Sequence, residues 1–181
     1  MGRFNDSGDY LAGPEHWLTG EELDLTRAMA RERYEKYVNI PRRGPGDACE
    51  DSEYLARQHQ GAVAEWFLQA QLPGSAANAN EAGTWDIFFR GQRIEVKAKN
   101  PKARNLVAWE NDVAKSADYW FALMVDMSQA LVVCVGYVSQ LELFDASNRF
   151  TWYDPKTGVN RGAQKVPYSQ LIPYGKGPLF N

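Results

Sequence analysis

The sequence predicts an α/β protein, a central mixed β-sheet flanked by helices, and three observations carry that expectation. Residues 51–72 keep the 3.6-residue period of an amphipathic helix. Residues 84–99 read as a β-hairpin, an aromatic run and an alternating run joined at Gly91. Residues 118–125 and 130–138 are of strand length and apolar on both faces, as strands in the middle of a covered sheet are. With 181 residues, 44% hydrophobic and 24% charged, the chain suits one domain whose core needs no staples.

Residues 1–18 are polar and Gly-rich and are expected to form a loosely held N-terminal arm ahead of a single domain over 19–181. Thr19 and Glu22 have capping-box spacing, so a helix is expected from there to about Val38, with Leu23, Ala30, Tyr34 and Tyr37 near its apolar stripe. Pro41 and the Arg42-Arg43-Gly44-Pro45-Gly46 stretch end it in a loop. On the second helix Val63, Trp66, Phe67 and Ala70 make the buried stripe, and Glu65 lies between them, away from the open polar side. Pro73-Gly74 stops this helix, and 75–83 is a loop of small residues.

In the second arm of the hairpin Ile94, Val96 and Ala98 share one face, while Glu95, Lys97 and Lys99 share the other. A turn at Arg90-Gly91 puts Asp86 opposite Glu95; a turn at Gly91-Gln92 puts it opposite Lys97. Either register gathers Asp86, Glu95 and Lys97, two carboxylates and an ammonium that suit a hard divalent cation beside a phosphate. Asn100-Pro101 ends the strand, and 109–116 is read as helical or irregular with Asn111 or Asp112 as cap. Beyond the two apolar strands and their turn at 126–129, a short helix is expected over 139–144 and an edge strand over 149–153. A turn follows at 154–158, with a closing helix or turn from Val166.

The net charge of −3 argues against a general nucleic-acid coat protein, but not against an enzyme that meets DNA through a local patch. Lys97, Lys99, Lys102 and Arg104 make one such patch and Arg42-Arg43 a second. His16, His59, Cys49 and Cys134 lack metal spacing, and Trp109, Tyr119, Trp120, Trp152 and Tyr153 are read as core rather than as base-stacking platforms. No run is long and apolar enough for a bilayer, and the polar start lacks a signal pattern. A reduced, cytoplasmic protein with no membrane contact is expected.

A helix bearing Glu65, then Asp86, then Glu95-Val96-Lys97 on the following strand resembles the PD-(D/E)xK nuclease superfamily. The likeness spans about residues 60–138 and is nearest to small phage and bacterial DNA-processing nucleases. Trp85 stands where that motif usually has Pro. A second match, Asp154-Pro-Lys156, sits in a turn where no strand aligns its side chains. The resemblance implies a restriction-endonuclease-like core and a Mg²⁺-dependent deoxyribonuclease, with Mn²⁺ able to substitute. It implies Asp86, Glu95, Glu65 and the Val96 carbonyl around the metal and Lys97 beside the attacking water. Lys99, Lys102, Arg104, Arg42 and Arg43 would lie along a DNA substrate. The alternative is a non-catalytic nucleic-acid-binding module of the same fold. Endonuclease or exonuclease action and oligomeric state, a homodimer included, stay open.

Overall fold

Thr19 and Glu22 exchange hydrogen bonds at the first helix terminus: Glu22 N donates to Thr19 Oγ1 at 3.2 Å, and Thr19 N donates to Glu22 Oε2 at 2.7 Å. This reciprocal cap satisfies donors that a helix start leaves open, and α1 runs from it over Gly20–Tyr37. The computed structural model describes residues 3–4, 10–11, 13–37, 51–78, 84–154 and 158–181. The loop holding Arg42 and Arg43, and most of the turn expected at 154–158, lie outside them.

α2, Asp51–Gln71, packs on α1, where the Thr26 hydroxyl meets His59 Nε2 at 3.1 Å. Its buried sector holds Val63, Ala64, Phe67, Leu68 and Leu72, with Trp66 at the margin. Ala70, expected on the stripe, is exposed, because the buried sector turns through Ala64 and Leu68 to Leu72 instead.

The main sheet has six strands. β4 (Ala76–Ala77), β5 (Ile87–Phe89) and β6 (Gln92–Lys99) form an antiparallel meander. β6 then pairs in parallel with β8 (Tyr119–Asp126), which is antiparallel to β9 (Leu131–Ser139). β3 (Glu15–Trp17) completes the far edge against β9. A two-stranded pair, β1 (Arg3–Phe4) and β2 (Tyr10–Leu11), precedes it.

Two expectations change here. β4 lies inside the stretch read as a loop, and residues 15–17 of the expected loose arm belong to the main sheet. That strap lies close on β9: Cys134 N donates to Pro14 O at 2.9 Å, and a Cβ on Gly13 would meet Cys134 O at 1.7 Å. Only glycine fits such an approach.

A parallel pair needs a long crossover, here the chain from 100 to 118 between β6 and β8. It contains β7 (Asn105–Trp109), a strand not expected there, and a 3-10 turn over Glu110–Lys115, where a helical or irregular segment is expected. β7 joins β11 (Val159–Pro167) and β10 (Arg149–Asp154) in a second sheet of order β10-β11-β7. α3 (Gln140–Leu143), capped by Ser139, stands where a short helix is expected. The closing segment is strand through Pro167 before a 3-10 turn at Tyr168–Gln170.

The fold is therefore mixed α/β, with α2, backed by α1, over one face of the main sheet and the small sheet and α3 over the other. Phe67, Leu68, Ile87, Ile94, Val96 and Phe121 fill the core under α2. Leu106, Ala108, Trp120, Ala122, Val133 and Val166 fill the second core. β6 separates the two, so Glu95, Lys97 and Lys99 point into the second layer rather than into bulk water. Among the described residues no helix is long and apolar enough to cross a membrane.

Candidate metal and phosphate site

The hairpin adopts the first of the two registers. Ile87 faces Ile94 and Phe89 faces Gln92 across an Arg90-Gly91 turn, both turn residues having positive φ (50° and 77°). That twist matches a two-residue hairpin, and it sets Asp86 against Glu95. Asp86 N donates to Ile94 O at 2.8 Å, and Val96 N donates to Asp86 Oδ2 at 2.7 Å. Val96, whose carbonyl is expected near a metal, thus meets Asp86 through its amide. Burial, then the charges of Glu95 and Glu65, push the Asp86 carboxyl well above the usual carboxylate range, against the pull of Lys115.

Glu95 is only 2% exposed. Its Oε1 carries two ammoniums: Lys97 Nζ at 3.1 Å and Lys115 Nζ, which donates a hydrogen bond to it. Its Oε2 is buried and has no hydrogen-bond partner among the described residues. Lys97 Nζ also reaches Asp112 Oδ2 at 3.1 Å and lies 5.1 Å from the centre of the Trp120 ring. Burial opposes the Lys97 charge, but Glu95 and Asp112 outweigh it and raise its pKa to about 12. Burial likewise raises the Asp112 carboxyl, yet Lys97 and Lys115 outweigh that and hold it below the ordinary range.

Glu65 reaches the neighbourhood from α2, since its charge acts on Asp86, but Arg33 of α1 holds it in a two-pronged ion pair, Nη1 to Oε1 at 2.7 Å and Nη2 to Oε2. Lys99 is the residue expected along DNA next to Lys97. Its Nζ is turned under β7 toward the Val107 carbonyl at 3.4 Å, and burial, then the charge of Lys97, bring its pKa down to about 8. Lys102 and Arg104 are exposed on the 100–104 loop.

Asp112, Lys115 and Arg33 do not stand out in the sequence reading as site residues. Side chains three apart eclipse on a 3-10 turn, so Asp112 and Lys115 face the site together, and that spacing is the signal that could reveal them.

Does a hard cation suit this set? A buried carboxylate oxygen without a donor is costly, and a second buried carboxyl beside it compounds the repulsion. A divalent ion held by Asp86 and Glu95 would relieve both. As the side chains stand, no three His, Cys, Asp or Glu among the described residues form a ligand group; the Arg33 pair engages both oxygens of Glu65. Asp86 and Glu95 Oε2 therefore fit a metal, and Glu65 fits one only on leaving Arg33. No protein-family model and no curated protein matches the chain.

Proposed function

We propose that this protein is a Mg²⁺-dependent deoxyribonuclease of the restriction-endonuclease-like type. The observation that carries the reading is Glu95 Oε2, a buried acceptor without a donor, set beside the charge-crowded Asp86 and two ammoniums. The meander, the parallel β6–β8 pair and Glu65 on the preceding helix support the same family.

Asp86 and Glu95 Oε2 would hold Mg²⁺, or Mn²⁺ in its place. Bound there, the ion acidifies a water and neutralises charge gathering on the phosphate. Lys97, kept protonated by Glu95 and Asp112, serves as a donor that binds a phosphate oxygen and orients the water, not as a base. Lys115 neutralises Glu95 from the other side of Oε1. Asp112 holds Lys97 while accepting the Trp109 amide at 3.1 Å, which ties the turn to the strand before it.

Incubation with closed circular plasmid tests the proposal. Wild type in Mg²⁺ is expected to nick or linearise the DNA, and excess EDTA to stop it. Glu95→Gln should lower the rate by about a hundredfold or more. Undiminished cutting by Glu95→Gln would contradict the proposal, and DNA binding without any cutting by wild type would favour a non-catalytic module.

A further inference from the structure

The outer face of the three-stranded sheet has a composition that the core does not explain. Strand pairing sets Trp152 opposite Arg161, Phe150 and Trp109 on either side of Ala163, and Val107 opposite Lys165. Two ring contacts confirm that these side chains share one face. Trp109 and Trp152 lie 5.3 Å apart at 58°, and Lys165 Nζ sits 5.0 Å from the centre of the Phe150 ring. The opposite face, with Leu106, Ala108 and Val166, packs into the second core. Trp109, Phe150 and Trp152 belong to neither core cluster and are half-buried, whereas the sequence predicts both tryptophans in the core. Strand pairing brings two cations, Arg161 and Lys165, to this face of a chain whose net charge is −3, with the one acidic position, Asp154, at its end.

We infer that this face is a stacking platform for unpaired bases of a DNA strand. Flat aromatic surfaces interleaved with cations suit single-stranded nucleic acid, because every base offers a π-face and the backbone supplies the anions. A paired duplex hides those π-faces within its stack and gains only the electrostatic part. The platform adjoins the carboxylate site through one residue: the Trp109 amide donates to Asp112 Oδ2, and that same oxygen accepts Lys97 Nζ at 3.1 Å. The Trp109 backbone thus links the platform to the turn that carries Asp112; the binding itself does not rest on the nuclease reading.

Binding is measured in EDTA, by fluorescence anisotropy of a labelled oligo-dT, a blunt duplex and an oligo-U of equal length. Wild type should bind the DNA single strand more tightly than the duplex and at least as tightly as the RNA. Trp152→Ala should weaken single-strand binding by roughly tenfold, and Trp152→Phe should retain most of it. Lys165→Ala, at an exposed position, should reduce the salt slope by about 0.7. Wild-type affinity in a folded Trp152→Ala overturns the platform, as does a duplex bound as tightly as the single strand. Tighter binding of oligo-U overturns the assignment to DNA. If Trp152→Ala does not fold, an unchanged salt slope in Lys165→Ala overturns the platform by itself. Plasmid cleavage with unchanged Trp152→Ala binding sinks the platform alone, and single-strand binding without cleavage sinks the nuclease alone.

Discussion

The two ends of the charged face of β6 meet opposite fates, although alternation makes them equivalent. At the Glu95–Lys97 end the chain supplies counter-charges from elsewhere: Asp112 and Lys115 descend from the 3-10 turn, and Lys97 stays protonated. At the Lys99 end an ammonium lies under β7 against a carbonyl, and its pKa falls to about 8. Burial presses on both lysines, and the presence of carboxylates decides the outcome. A charged strand face thus becomes a paired cluster only where a second element brings partners to it.

Exchange of the two lysines breaks this contrast most sharply. Lys97→Met should lower turnover at saturating DNA by about a hundredfold or more, and Lys99→Met should leave it largely intact. Comparable losses in the two variants would erase the distinction. Next in size is Lys115→Met, which leaves buried Glu95 with Lys97 alone. A loss of about 2 kcal/mol in urea unfolding without divalent ions is expected, and a smaller loss with Mg²⁺. Equal losses in both conditions would detach Lys115 from the metal site.

Lys99 gives the pH dependence. Its folded pKa of about 8 lies below its ordinary value near 10.4, so between them the unfolded chain binds more protons. The burial cost is full below about pH 8 and is relieved as pH rises toward about 10. Stability should therefore gain on the order of 1–2 kcal/mol over that window from this residue. Lys99→Met should be more stable at pH 7 and lack the gain, whereas an identical rise in the variant would place its origin elsewhere. The smallest effect belongs to Glu65→Gln, since Arg33 already occupies that carboxylate. The fold should persist and cleavage fall by about tenfold or less; a loss as large as that of Lys97→Met would give Glu65 a full ligand's part.

The same contrast explains how much was legible in the sequence. The hairpin, its apolar face and the gathering of Asp86, Glu95 and Lys97 follow from alternation and a Gly turn, which are local properties, whereas the choice between two registers does not. The helix cap at Thr19 is equally local. β7 and β11 carry no such mark: Asn105–Trp109 is short, and Val159–Pro167 holds Gly162, Gln164 and Pro167. They become strands by pairing with each other across more than fifty residues of chain. Asp112 and Lys115 ride on that pairing, and so does the cover over Lys99, which is why the charge pattern of β6 is legible in the sequence and its two environments are not.

Calorimetric titration with Mn²⁺ and Mg²⁺, in wild type and Asp86→Asn, reads the central claim most directly. Asn is isosteric and its Oδ1 can still accept the Val96 amide, so the hairpin should be preserved. Wild type should take up the ion and melt at a higher temperature with it, while Asp86→Asn should show little heat and little shift. Equal binding by the two proteins, or none by wild type, would contradict a metal held between Asp86 and Glu95.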